Sequence, residues 1–430
     1  MKVLIVGAGL GGLACAIACR QRGIDVVLVE RSPEVREVGA GIQIPLMELV
    51  SCGIWAFCLS YSRKEVRSNM WTSADTRMAI FCDLCLLVMG LRRNLELHGF
   101  DYHRILLDEA IRLGAVLVLG AEVENLCVET PEVVLADGVK LSADVLIGAD
   151  GQWSTVRNAV LKTPVSPVET GDLAYRATFT REQLESLGDD KVNELIQKVA
   201  VTSWLGPKKH TIFYPVRGGQ EFNLVLLRPD DLAAGTRRVE GDVEEMRESY
   251  ADWDETLQNL ISCVPTVYKW KLTSLPELET WTNGAVALLG DACHPTLPYQ
   301  AQGAAMAVED GAVIGNLLGS LQDRNFSNDL SVVTSILNLY EVVRKARTTR
   351  NVRGAVMNRQ LFHIDDGLLQ VIRDFALGYA GVTRKSDWTW FSSFRQRQTL
   401  GNDVLDECGK AFQDWEAVFL QQKRHNGRHH

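Results

Sequence analysis

At 430 residues, with 46% of them hydrophobic, the chain is long enough for two domains and a sizeable core. A formal net charge of -9 leaves no basic block to neutralise phosphates, which excludes a nucleic-acid binder. Ten cysteines in an acidic chain predict reduced thiols and a cytoplasmic location rather than a disulfide framework.

The N-terminal MKVLIVGAGLGGLACAIACR has the hydropathy of a signal peptide, but its glycines sit at fixed offsets that a signal does not need. KVLIV (Lys2 to Val6) reads as a strand buried on both faces. Gly7, Gly9 and Gly12 follow as GxGxxG, and then a helix with Ala14, Ala16 and Ala18 facing the sheet. Gly7 permits a tight turn, Gly9 lets backbone approach a pyrophosphate, and Gly12 allows close helix–strand contact. DVVLVE (Asp25 to Glu30) is a second buried strand, ending in a carboxylate placed to accept hydrogen bonds from ribose hydroxyls. This βαβ opening predicts a doubly wound parallel sheet.

VGAGIQIP, ending at Pro45, leads into a stretch from Leu46 to His98 with neither helical nor strand periodicity. Within it, Cys82 and Cys85 form a CxxC in an irregular context, which reads as coincidence rather than a redox motif. The apolar run Met78 to Leu91 is too short for a bilayer span and contains Asp83, so no membrane anchor is expected. DYHRILLDEAIRLGA from Asp101 reads easily again, and short strands and turns follow to VLIGAD, ending at Asp150. From about Ala174 to Leu275 longer β-like runs alternate with charged helical pieces. AVALLGD, ending at Asp291, leads to a small-residue helix from about Gln302, and the chain beyond Asp323 is mostly helical.

The N-terminal fingerprint, ADVLIGADGQWSTVR (Ala143 to Arg157) and GAVALLGDACHPTLPYQAQGAAMAVEDGA (Gly284 to Ala312) together resemble the three flavin motifs of the class A aromatic flavoprotein monooxygenases. That family includes p-hydroxybenzoate and salicylate hydroxylases and many fungal secondary-metabolism enzymes, and the resemblance covers roughly 1–45 and 101–310. It implies an α/β fold: a Rossmann-like FAD-binding domain, an inserted substrate domain over a mixed β-sheet, and a helical C-terminus. The divisions expected are 1–172 and 276–325 for FAD, 173–275 for substrate and 326–430 for the helical region. By the same resemblance, Ala40, Gly41, Gln43, Asp150, Gly151, Asp291, Gly303 and Ala304 join Gly7, Gly9, Gly12 and Glu30 at the cofactor. Asp291 would hold ribityl or ribose hydroxyls. The helix opened by Gln302, Gly303 and Ala304 would present its N-terminus to the flavin pyrimidine edge, where the dipole favours reduced-flavin charge. With one GxGxxG only, NADPH or NADH would dock transiently as co-substrate.

LAYRATF (Leu173 to Phe179) and KHTIFYPVRGG (Lys209 to Gly219) resemble substrate-domain strands of the fungal phenol hydroxylases, which assigns phenolate binding to Arg176 and Tyr214. His210 and His294 read as structural, and no metal-ligand cluster is expected. KSDWTWFSSF (Lys385 to Phe394) resembles a C-terminal motif of these enzymes. The implied reaction is NAD(P)H- and O2-dependent hydroxylation of a small aromatic compound through a C4a-hydroperoxyflavin. The alternatives are epoxidation of an isolated alkene and a catalytically impaired remnant.

The remnant reading comes from the illegible stretch. Relatives usually carry a flavin-side helix after GAGIQIP, then a substrate strand, GAPW and HRADYHRILL; here the last reads HGFDYHRILL. Read one base early from Pro45, Leu46 through Phe57 permit Pro-Asn-Gly-Thr-Arg-Val-Met-Arg-x-Leu-Gly-Leu. Asn69 to Ala79 then permit a strand like that of the relatives, and Asn94 to Gly99 permit Leu-Gly-Ala-Pro-Trp. Residues 46–98 therefore read as an out-of-frame or mis-spliced segment, with weak FAD retention as the expected consequence.

Overall fold

The computed structural model describes residues 1–34, 41–44, 70–75, 78–82, 95–198, 200–326, 329–383 and 403–426. Ala40, the region resembling a helix at Leu46 to Phe57 in the alternative frame, Cys85 and Lys385 to Phe394 lie outside these residues.

The first strand, Lys2–Val6, is parallel to Asp25–Glu30 on one side and Val145–Gly148 on the other. Val116–Leu119 extends the sheet beyond the second strand, and Val286–Leu288 and Thr282–Asn283 extend it past Gly148. The strands Val3–Val6 and Val145–Gly148 are buried along their length, which is why they read as unbroken apolar runs. Since neighbouring strands run parallel, Val6, Glu30, Gly148 and Leu288 all end on one edge. An open parallel sheet binds its ligand outside that edge. The N-terminal segment is, as expected, a strand, a turn and the helix Leu10–Gln21.

That helix lies against the helix Gly303–Asp323 through small residues. A Cβ at Gly311 would come within 2.5 Å of the Cys15 nitrogen, and one at Gly315 within 2.4 Å of the Ala18 Cβ. The alanines placed toward the sheet by sequence thus serve a helix–helix contact as well.

A second sheet of eight strands runs in the order Arg238–Gly241, Val267–Ser274, Val168–Thr180, Glu221–Pro229, Lys209–Val216, Ala200–Gly206, Met70–Asp75, Met78–Cys82. Its pairs are antiparallel except between Ala200–Gly206 and Met70–Asp75, so the sheet is mixed. One face packs Leu173, Tyr175, Phe213, Phe222 and Leu224 against helices that include Asp190–Gln197 and Glu255–Ser262. The helices are started by aspartate caps, Asp189 on Val192 N–H and Asp254 on Thr256 N–H, each contributing about 1 kcal/mol. The other face carries Ala174, Arg176, Ile212, Tyr214, Val225 and Leu227, and turns toward the ligand edge of the first sheet.

Inside 46–98, where no period is legible, three strands are described. Met70–Asp75 and Met78–Cys82 form a hairpin on the edge of the mixed sheet, and Leu95–His98 pairs with Gly41–Ile44. Edge pairing uses backbone hydrogen bonds, which do not require an alternating side-chain pattern. After Asp323 the helices Leu330–Phe362, Leu368–Thr383 and Val404–Asn426 follow, and no helix among the described residues is long and apolar enough to cross a membrane.

Candidate active site

The carboxyl edge of the parallel sheet and the inner face of the mixed sheet enclose a cavity of about 420 Å³. Gly9, Gly151, Asp291, Gly303 and Ala304 line it from the first side; Arg176 and Tyr214 line it from the second. Residues up to 295 positions apart in expectation therefore meet at one chamber only because two sheets face each other there.

The glycine loop is built for close approach. Gly7 has φ +103°, and a Cβ there would lie 2.4 Å from the Ala149 carbonyl oxygen. A Cβ at Gly12 would meet the Gly7 oxygen at 2.1 Å, whereas one at Gly9 would point into open space. Glu30 sits beside this loop, where its carboxylate accepts from the Ala8 N–H at 3.0 Å and the Ser32 N–H at 2.9 Å. Gly41 and Gln43 fall in the strand Gly41–Ile44. His103, which no local pattern marks, bonds the Ala8 carbonyl at 2.7 Å and ties its own helix, Gly99–Arg112, to the glycine loop.

Asp150 follows the strand Val145–Gly148 by two residues and precedes the turn at Gly151. It caps the helix Thr155–Leu161 by accepting from the Thr155 and Val156 N–H groups, while burial raises its carboxyl despite those bonds. Arg157, buried, donates to the carbonyls of Gln152 and Ala292 and so links this turn to the one that carries Asp291. Asp291 has no side-chain hydrogen bond among the described residues and is exposed on the cavity wall. The surrounding walls desolvate its carboxyl and raise it, with the His294 charge opposing.

Behind that turn lies a buried charge cluster. Asp310 accepts from the Gly290 N–H at 2.9 Å, from His294 Nε2 at 2.6 Å and from Arg344 Nε at 2.7 Å. Glu309 accepts from Arg344 and Arg347. Cys293, His294 and Asp310 are near enough to hold an ion, but Arg344 already balances Asp310, and burial pushes the Cys293 thiol far from its thiolate. His294 is thus a structural donor. His210, at the far end of the cavity face, is fully buried against His363 at 2.8 Å; burial lowers it well below its ordinary value and takes His363 to about 4.

On the substrate side, Arg176 pairs in register with Val225, and Val225 with Ile212; Tyr214 pairs with Asn223 one step along. Strand alternation therefore aims Arg176, Ile212, Val225 and Tyr214 the same way. No carboxylate pairs with Arg176 among the described residues. Asp189, near enough in sequence to suggest an ion pair, instead caps a helix and accepts from Asn259. The surrounding chamber walls desolvate the Arg176 guanidinium and lower it, although its side chain is exposed in the chamber, and the Tyr214 oxygen acts against that shift. Asn223 Nδ2 donates to the Tyr214 oxygen at 2.6 Å.

Gln302, expected only to open the helix beside the flavin, completes the site with its side chain. It is 1% exposed and lines the cavity, and neither Oε1 nor Nε2 has a partner among the described residues. A buried amide with both ends unsatisfied costs about 1–3 kcal/mol unless a ligand or water completes it. Its donor–acceptor pair matches the imide edge of a flavin, and the helix start at Gly303 lies beside it. Open space at Gly9, the unpartnered Gln302 amide and the Asp291 carboxylate together fit FAD. We expect Gln302→Leu to weaken FAD binding roughly tenfold, read by equilibrium titration of the flavin-free protein; unchanged affinity would remove Gln302 from the cofactor site.

Comparison with known proteins agrees with this geometry. The family profile described as FAD binding domain matches residues 1–354. An FAD-dependent monooxygenase, OpS4 of Beauveria bassiana, is 35% identical over 390 residues, covering 88% of this chain and 89% of that protein. A 3-hydroxybenzoate 6-hydroxylase of Aquipseudomonas alcaligenes is 32% identical over 412 residues, covering 93% and 98%. In fold, the chain is similar to a salicylate hydroxylase substrate complex, with a TM-score of 0.75 at 22% identity over 96% of this chain and 98% of that one. The chain belongs to the FAD-binding-domain family and is an enzyme of the FAD-dependent monooxygenase type.

Proposed function

We propose that this chain hydroxylates a small phenolic compound in a reaction that consumes NAD(P)H and O2, within secondary metabolism. The observation that carries the reading is Arg176: a guanidinium with no carboxylate partner among the described residues, in a largely apolar chamber that also opens onto Asp291 and Gly303. FAD, when bound, supplies the oxygen-activating chemistry. It would be held by Gly7, Gly9 and Gly12 at its pyrophosphate, by Glu30 and Asp291 at hydroxyls, and by Gln302, Gly303 and Ala304 at its ring. Asp150 and Gly151 shape the adjoining turn, and Gly41 and Gln43 add backbone near it.

Arg176 binds the phenol oxygen as phenolate, which raises the electron density of the ring. Tyr214 moves the phenolic proton, with Asn223 stabilising the tyrosine oxygen as it gains charge. Val201, Ile212, Val225, Leu227 and Phe362 exclude water, so that both polar contacts act at low dielectric. An isolated alkene offers Arg176 nothing to bind, and so the geometry favours phenol hydroxylation over epoxidation. A panel of hydroxybenzoates and simple phenols should stimulate NAD(P)H oxidation with hydroxylated product. Stimulation by alkenes alone would overturn the reading.

The arrangement 46–98 bears on how well this chain holds its cofactor. We propose that this segment is read out of frame. Replacing it by the alternative-frame sequence should raise FAD occupancy after gentle purification several-fold. Equal, stoichiometric flavin in both chains, or a genomic locus that gives no such reading, would reject that proposal.

A further inference from the structure

Outside the cavity the mixed sheet ends in a cluster of cations and aromatic rings that the reaction above does not use. The Arg237 guanidinium carbon lies 3.7 Å from the ring centre of Trp153. That of Arg238 lies 3.9 Å from Tyr268 and 4.5 Å from Trp270. Trp153 and Tyr268 are 39% and 41% exposed. Among the described residues neither arginine has a carboxylate partner. Their neighbours Arg228, Lys269 and Lys271 each have two.

The cluster continues the cavity face. Arg238 pairs with Trp270, Trp270 with Ala174, and Ala174 with Leu227, which lines the cavity. Tyr268 stands one step beyond the Tyr175–Lys269 pair, which puts it beside Arg176 on the next strand. Adjacent strands are about 4.8 Å apart. Trp153 comes from the other side, two residues after cavity-lining Gly151 and thus within roughly 7 Å of it along the chain. Gln152 between them donates to the Thr273 carbonyl at 2.8 Å, which fixes the turn against the strand Val267–Ser274. The result is a ledge leading from the mouth of the cavity to the sheet edge.

A guanidinium stacked on a ring keeps its N–H edge free for a phosphate, and exposed ring faces accept a flat heterocycle. A ligand that joins a purine to a pyrophosphate, and must reach a redox cavity with its other end, is a pyridine dinucleotide. We propose that Trp153, Arg237, Arg238, Tyr268 and Trp270 dock the adenosine-diphosphate half of NAD(P)H, which leaves the nicotinamide half to enter the cavity past Gly151. This rests on the reading that the chain consumes NAD(P)H.

The test is Arg237→Gln/Arg238→Gln, with Trp153→Leu as a second variant and Arg237→Lys/Arg238→Lys as the conservative one. Thermal midpoint and FAD content first establish that each is folded as the parent is. Binding of ADP and of NADP+ is then followed by calorimetry on the FAD-loaded protein, and KM and kcat for NAD(P)H by absorbance. The glutamine pair should raise Kd for both ligands and KM for NAD(P)H roughly tenfold, with kcat within about twofold and a flatter salt dependence. The lysine pair should fall between. Unchanged Kd and KM in the glutamine pair would overturn the ledge. If the parent takes up no FAD or oxidises neither nucleotide, the monooxygenase reading fails separately. ADP binding then still decides the ledge: loss in the glutamine pair supports it, and no ADP binding by the parent rejects it.

Discussion

Arg176→Ala should lower hydroxylation of a phenolic substrate by roughly 10²–10³-fold while FAD stays bound. The residue touches no described carboxylate, so its removal leaves no buried acid behind and the fold should hold. What is lost is the one cation, among the described residues, lining a chamber walled by Val201, Ile212, Val225 and Leu227. A phenolate there would be left without a partner at low dielectric, and its pKa would rise. Product formed per NAD(P)H consumed is the measurement. Arg176→Lys should recover only part, because a single ammonium replaces a planar fork. The defect should also shrink for substrates whose phenol is already acidic. Normal product yield from the alanine variant would remove Arg176 from the site.

The parts of this site that were legible share one property: each lies on a buried strand followed at once by glycine or by a carboxylate. Val6 to Gly7, Gly148 to Asp150 and Leu288 to Asp291 all follow that rule, and parallel pairing alone brings them to one edge. Arg176 and Tyr214 were reached by resemblance. Nothing in their own strands says that they face the cavity, since that depends on register with Val225 and Asn223 on the strand Glu221–Pro229 between them. Gln302 was placed at the helix start, but its unsatisfied amide is a property of packing that no local pattern carries. The ledge was illegible for a related reason. Trp153 lies in a turn of the first sheet and Arg237 ahead of an edge strand of the second, and only their facing makes a stack. The hairpin at Met70–Asp75 and Met78–Cys82 has no period to read because its backbone, paired to Ala200–Gly206, sets its place.

Arg344→Leu should cost about 3–5 kcal/mol of stability and loosen FAD as well. Arg344 is fully buried and bonds Asp310 at 2.7 Å and Glu309 at 2.5 Å. Glu309 keeps Arg347 in the variant, but Asp310 keeps only His294 and the Gly290 N–H. In the parent, burial alone would raise the Asp310 carboxyl; the charges of His294 and Arg344 outweigh it and hold the group below its ordinary value. Its contribution to stability is therefore present above the ordinary carboxylate range and is lost as pH falls through the lowered value. Without Arg344, only His294 and the Gly290 N–H oppose the burial, so the folded carboxyl moves up toward its unfolded value and that contribution shrinks. The stability gap between parent and variant should accordingly be larger at pH 7.5 than at pH 5, measured by denaturant titration at both. Because Asp310 also holds the Gly290 N–H, the turn that presents Asp291 should relax, and FAD should dissociate faster. Arg344→Lys should restore part of both. A gap independent of pH, with FAD dissociating as in the parent, would show that the cluster supports neither Asp310 nor the turn above it.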